Sequence, residues 1–344
     1  MANRSGLGGL IGGGKLNPRE VEKIIDRLEI VPSDNMALVS SSAVGVAAVQ
    51  MQLKPYESIA EYIVDMNLYI ADAAARRAHL VVLPAYAGLL PLTAVPQSAA
   101  HLKRLAESDA GGLVDMEMLG DSLAHLSDYA FDAYFYTLST LAARHRIYIM
   151  AGSTLYFEEN ELCHRAFLFS DEGSLAGYQD KISTGNVEEG LQIPPDSEVK
   201  VFETPFGGVS VLIGSDADYF ECGRIAAKLG AKILLCPTAY VGEYTPIHSS
   251  LGPNMRAQEN QIYAVASSLV GETTLGFSLE GGGRIFAPNE LLKHKNGVAG
   301  KTSGYHQPDL ACMSLDLDRL LKIKNPYSSD TNTDFLQKNI DRLY

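Results

Sequence analysis

Lys181, in the run Gly177-Tyr178-Gln179-Asp180-Lys181-Ile182, and Glu188, a few residues further on, are a lysine and a carboxylate whose types could do chemistry together. A lysine ammonium can hold an oxyanion or a ligand carboxylate, and a nearby carboxylate can orient that lysine or a substrate. The bland alternative is a surface lysine on a turn followed by a solvated acidic turn, where Glu189 serves as well as Glu188. A second segment of interest is Val209-Ser210-Val211-Leu212-Ile213-Gly214-Ser215-Asp216-Ala217-Asp218-Tyr219-Phe220-Glu221, an apolar run that breaks into a polar turn and opens a helix. His248, in Tyr244-Thr245-Pro246-Ile247-His248, is a loop histidine that either meets a ligand or is merely exposed. His145 and His164 flank strands and read as structural. No His, Asp, Glu or Cys set has metal-ligand spacing, so no metal and no cofactor is expected.

The elements that must position these residues alternate between strand and helix. Val44–Met51 and His79–Leu83 read as buried strands, and 58–77 as an amphipathic helix with Ile59, Tyr62, Ile63, Met66, Tyr69 and Ile70 at helical spacing. Residues 105–127 read as a loop-rich excursion, Phe131–His145 as a helix and Ile147–Ala151 as a strand. Four short strands follow between 166 and 213, then a helix over 219–229 and a strand over 233–235. A helix ending near Gln261 and a strand over 263–269 come next. This order predicts an α/β fold, with mixed sheets because of the hairpin character of 147–202. Before the body, Gly6 to Gly14 form a Gly-rich head with no preceding strand, which is no phosphate loop. Asn17, Pro18 and Glu20 then signal a helix start, with Val21, Ile24, Ile25 and Leu28 on one face.

Taken in order, several of these segments resemble the nitrilase (carbon–nitrogen hydrolase) superfamily. Ala48-Val49-Gln50-Met51 looks like its opening strand, and Leu80-Val81-Val82-Leu83-Pro84-Ala85 like its first catalytic strand end. Pro205-Phe206-Gly207 is similar to the turn before the nucleophile strand, and Cys236-Pro237-Thr238-Ala239 to the strand end after it. Arg256-Ala257-Gln258-Glu259-Asn260 matches the family's Arg-Ala-x-Glu-Asn helix. Gly281 to Pro288 occupies its glycine-rich strand near the pocket. The resemblance implies a four-layer α–β–β–α sandwich over 43–316 and a tail over 317–344 that crosses between subunits of a homodimer or higher homo-oligomer; the Gly-rich arm and helix over 1–42 lie outside it.

The resemblance also implies what is missing. The family hydrolyses amides and nitriles with cysteine, glutamate and lysine. Lys181 and Glu188 are retained at family positions, whereas Ala85 stands at the first glutamate and Gly214 at the cysteine. Asp216 and Glu221 fit the acidic positions after the elbow, and Ser183 stands where many relatives have histidine. Ser215 follows Gly214 directly, but alternation along a strand aims it away from the pocket, and no carboxylate–His–Ser set supports it. Lys181, Glu188, Ser215 and His248 remain the ligand-contact candidates, for a small amide, nitrile or carboxylate. Two functions follow as expectations. One is a non-catalytic homologue that binds such a ligand or serves as an assembly subunit. The other is a hydrolase whose glutamate and cysteine were removed by mutation or replaced by different chemistry.

Bulk properties narrow the partners. A net charge of −13 over 344 residues excludes a phosphate-backbone or anionic-membrane binder. No apolar run approaches the roughly 20 residues that span a bilayer. Cys163, Cys222, Cys236 and Cys312 are scattered too widely for a zinc set or a disulfide scaffold. Cytoplasmic residence is the expectation.

Overall fold

Strand β1, Val44–Gln52, divides its side chains between two cores, and this division builds the layers. Val44, Val46 and Ala48 point to one core, Ala47, Val49 and Met51 to the other, as the two-residue period of a strand requires. A strand buried on both faces must be apolar throughout, which is why β1 reads as a continuous run. The computed structural model describes residues 16–95, 116–158, 161–245, 251–273, 278–323 and 338, leaving aside the side chains of 116–127 and 186.

The strands flanking β1 are β2 (Leu80–Val82), β3 (Tyr148–Glu158), β4 (Glu161–Phe169) and β5 (Leu175–Asp180) on one side. On the other side run β10 (Tyr263–Glu272), β8 (Ile233–Thr238), β7 (Gly207–Val211) and β6 (Phe202–Thr204). β1 pairs in parallel with β2 and β10, whereas β3–β4, β4–β5 and β6–β7 are antiparallel, so the sheet is mixed as expected. β14 (Asp309–Leu315) pairs antiparallel with β1 from Val44 to Gln50, and the short β9 (Tyr240–Val241), β11 (Ser278–Glu280), β12 (Arg284–Phe286) and β13 (Val298–Lys301) pair off the main strand path. Helices α1 (Pro18–Ile25), α2 (Ile59–Ala75) and α3 (Met116–His145) cover the Val49 face. Helices α5 (Phe220–Lys228) and α6 (Pro253–Asn260), which follow the short α4 (Asn186–Gly190), cover the face of Leu234, Cys236 and Ala264. Between the sheets, Val46, Val82 and Met150 meet Val211, Leu235 and Val265. This is the α–β–β–α sandwich that the resemblance implies.

The two largest departures from the sequence reading concern residues 116–127 and the length of β3. Residues 116–127, expected in a loop, belong to the 30-residue helix α3. Gly120 within it costs about 1 kcal/mol against alanine, and a helix nucleated by packing further along propagates through such a residue. The rest of the expected loop, 105–115, lies outside the described residues. Strand β3, expected to stop at Ala151, continues to Glu158. Gly152, at φ 75, is the apparent stop; instead the register with β4 shifts between Met150 and Ser153 and the ladder resumes.

The N-terminal helix docks on the body. Asn17 caps α1 by accepting from the Arg19 N–H, with Pro18 at the first helical position. Val21 and Ile25 are fully buried among α2 and α3 side chains, with Ile24 and Leu28 packed beside them. His79 fixes the chain that follows: Nδ1 accepts from the Gly45 N–H, leaving Nε2–H to donate to the Asn35 carbonyl. At the far end, Leu317 and Leu320 of α7 (Leu317–Leu320) enter the core between the sheets, while the tail beyond 323 falls outside the described residues, Lys338 apart. Because Ile25 is 1 % exposed, Ile25→Ala is expected to lower the unfolding free energy by about 2 kcal/mol or more in urea titrations. An unchanged midpoint would mean that the arm is not part of the folded core.

Candidate functional site at the Lys181 elbow

Strand β7 ends at Val211, and the chain turns at Gly214, whose φ of 54 lies in the left-handed region where a Cβ is strained. The 3-10 turn Gly214–Ala217 then leads into α5. A Cβ built on Gly214 would stand 3.8 Å from Lys181 Nζ, with nothing else within 4 Å, so the bend faces the lysine directly. The turn is held from beneath by α6: Arg256 Nη1 donates to the carbonyls of Ala217 and Asp218, and Gly223 lets α5 lie against the Arg256 side chain.

Lys181 follows β5 and is 5 % exposed. Its ammonium donates to the Ile213 carbonyl at 2.9 Å, to Ser215 Oγ at 2.9 Å and to Asp216 Oδ1 at 3.5 Å. Three donors meet three acceptors, the full inventory of an ammonium. Asp216, fully buried, also accepts the backbone N–H groups of Ile182, Ser183 and Ile213. One carboxylate thus ties the turn after β5 to the elbow after β7. The sequence reading gave Asp216 only an acidic position after the elbow; its central part comes from two turns that meet in space.

Ser215 corrects an expectation. Strand alternation aimed it away from the pocket, yet its hydroxyl accepts from Lys181 Nζ. The reason is that the strand has ended: the left-handed bend at Gly214 replaces the two-residue period with a turn that swings Ser215 back.

Glu188, on α4, is 4 % exposed but makes no hydrogen bond to Lys181. Its Oε1 accepts from His164 Nδ1 at 2.9 Å and from the Tyr86 hydroxyl at 3.1 Å, and its Oε2 from the Gly185 N–H. With Nδ1 donating, the neutral ring presents Nε2 as acceptor to Ser153 Oγ at 2.7 Å. A carboxylate–His–Ser set therefore exists, contrary to the sequence expectation. Its serine lies on the part of β3 beyond the bulge, and its histidine had no visible partner in the sequence. Burial alone would raise the Glu188 pKa, but the hydrogen bonds from His164 and the Gly185 N–H and the Lys181 charge outweigh it and hold the carboxyl at about 2. Burial lowers the His164 pKa against the pull of Glu188, which keeps the ring neutral.

Ala85 is buried between Pro84 and Tyr86 in the chain, and the Leu83 carbonyl just before them accepts from Ser267 Oγ. Glu189 is exposed and His248 lies outside the described residues. All four thiols are disfavoured as thiolates: burial raises Cys163, Cys222 and Cys312 to about 11 and Cys236 still higher. Among the described residues no group of His, Cys, Asp and Glu is placed to hold a metal, and no helix is long and apolar enough to cross a membrane.

The Glu188 carboxyl has a pH signature. Its folded pKa is depressed, so its stabilisation is full above the ordinary value of 4.5 and is lost as pH falls toward about 2. Urea titrations between about pH 5 and about pH 3 should show the unfolding free energy falling with acid, and Glu188→Gln should flatten that slope. Equal slopes in both proteins would contradict the ionised, hydrogen-bonded state of Glu188.

Comparison with known proteins places this geometry in a family. Probable hydrolase YhcX of Bacillus subtilis is 25% identical over 267 residues, 77% of this chain and 48% of that protein. Omega-amidase NIT2 of Danio rerio is 27% identical over 159 residues, 44% of this chain and 57% of that protein. The chain spans about half the length of the curated relatives it matches. An amidase from Nesterenkonia sp. shares the fold with a TM-score of 0.62 at 20% identity, covering 87% of this chain and 97% of the amidase. The family profile "Carbon-nitrogen hydrolase" matches residues 45–303, and the chain belongs to the carbon–nitrogen hydrolase (nitrilase) family.

Proposed function

We propose that this chain is a carbon–nitrogen hydrolase homologue without Cys-dependent amidase or nitrilase activity, in which Ala85 and Gly214 stand at the family's glutamate and cysteine. The observation that carries this reading is the bend at residue 214: it bears no side chain, and a Cβ built there would stand 3.8 Å from Lys181 Nζ. Amide hydrolysis through a covalent intermediate needs a nucleophile and a base for its proton, and alanine and glycine supply neither. Removing a nucleophile that works in a unit lowers turnover about a millionfold in a well-studied protease.

Two roles fit such a protein: binding a small amide or carboxylate, or serving as an assembly subunit in the cytoplasm. The internal acceptors around Lys181 favour the second, since an anion would have to displace Ser215, the Ile213 carbonyl or Asp216. Exposed apolar side chains on the outer layer, Phe220 and Ile225 of α5 with Tyr219, Leu229 and Met255 beside them, give a face for two-fold pairing with a second copy. The alternative is a hydrolase whose Glu and Cys were removed by mutation or replaced by different chemistry. The natural gene's residues at 85 and 214 separate these readings.

The activity test is ammonia release from short aliphatic amides and nitriles, before and after thiol alkylation. No release above the uncatalysed rate is expected. Turnover that alkylation abolishes and that maps to an adduct on Cys222 or Cys236 would overturn the proposal. Light scattering at micromolar concentration should give at least twice 37.1 kDa; a species of 37.1 kDa alone would remove the assembly role.

A further inference from the structure

The Ser153, His164 and Glu188 side chains form a hydrogen-bonded row that no part of the Lys181 elbow uses. The serine hydroxyl lies 2.7 Å from His164 Nε2, and His164 Nδ1 lies 2.9 Å from Glu188 Oε1. Order, tautomer and distances are those by which a carboxylate orients an imidazole to take a proton from serine. The residues come from three elements, β3, β4 and α4, so the row is a product of tertiary packing.

One side chain covers it. Tyr86 stacks on the His164 ring at 4.7 Å between centroids, and its hydroxyl donates to Glu188 Oε1. Its backbone N–H donates to Ser153 Oγ at 3.0 Å. Tyr86 is half-buried, whereas Ser153 and His164 beneath it are 0 % and 2 % exposed. The tyrosine holds a φ of 60, a left-handed conformation that an aromatic residue adopts only under constraint. Ala87, next in the chain, opens a 3-10 segment, Ala87–Ala94, so the tyrosine sits at the junction between the end of β2 and that turn. Rotation of Tyr86 out of the left-handed region would relieve the strain and open the histidine face of the row.

We propose that Ser153, His164 and Glu188 constitute a second, serine-based acyl-transfer site for small esters, closed by Tyr86 as a lid. In this reaction Ser153 Oγ bonds to the acyl carbon and its proton passes to His164 Nε2. The ester C–O bond breaks, and the leaving alkoxide takes that proton from His164. Water, giving a proton to the same nitrogen, then attacks the acyl-serine, and the proton returns to Ser153 Oγ as the acid leaves. Glu188 remains ionised throughout and stabilises the imidazolium. No thiol takes part, so this site stands or falls separately from the absent cysteine chemistry at residue 214.

The test uses a small dialkyl fluorophosphate as probe, which forms an Oγ–P bond and expels fluoride by the same proton transfer. The chain as written is compared with Tyr86→Gly, Ser153→Ala and His164→Gln by intact mass and peptide mapping, with thermal unfolding to establish that each variant is folded. One adduct per chain, mapped to Ser153, is expected in the chain as written. It should form faster in Tyr86→Gly, where glycine accepts the left-handed backbone without a ring, and be absent in Ser153→Ala. In His164→Gln it should form about a hundredfold more slowly or less, the scale of a lost general base. The Tyr86→Gly comparison decides the matter even where His164→Gln fails to fold. Absence of an adduct on Ser153 in both the chain as written and Tyr86→Gly overturns the site. Equal labelling rates in the unsubstituted chain and Tyr86→Gly overturn the lid, and labelling indifferent to a folded His164→Gln overturns the relay.

Discussion

The buried carboxylate of Asp216 is the constraint on which the elbow depends. It receives three backbone N–H groups, two from the turn after β5 and one from the end of the β7 segment, and lies 3.5 Å from the Lys181 ammonium. An ionised group without exposure survives only when its lone pairs are filled, and here they are. The same carboxylate explains why Lys181 can be buried. In this arrangement the lysine is a brace between two turns before it is anything else.

Around that brace, the sheet order brings distant stretches together. β5 and β7 stand on opposite arms of the strand path about β1, yet their C-terminal turns meet through Lys181 and Asp216. The α6 helix, whose Arg-Ala-Gln-Glu-Asn run was the clearest motif in the sequence, acts one layer below. Its Arg256 fixes the carbonyls that shape the elbow and so sets where residue 214 points. Two neighbouring polar sets result, one centred on Lys181 and one on His164, joined by a backbone bond from the Lys181 N–H to the His164 carbonyl.

Much of this was legible in the sequence because it rests on local signals. Apolar runs marked β1, β2 and β7, Asn17-Pro18 marked the start of α1, and motif order marked the family. Position-specific contacts were not legible where a local rule stopped applying. Alternation failed for Ser215 because a left-handed glycine ends the strand before it. The bulge after Gly152 hid the continuation of β3 and with it Ser153. His164 read as structural because its partners, at 153 and 188, become neighbours only through the β3–β4 pairing and the placement of α4. Loops and turns carry this information in three dimensions, and residue type alone does not.

The central claim is that Lys181 is a satisfied internal brace, and the unfolding free energy of Lys181→Met tests it most directly. Removing one partner of a buried ion pair strands the other, so the account predicts a loss of about 3–5 kcal/mol in urea titration at neutral pH. A lysine kept for ligand contact at the expense of stability gives the opposite sign. Unchanged or increased stability in Lys181→Met would contradict the account.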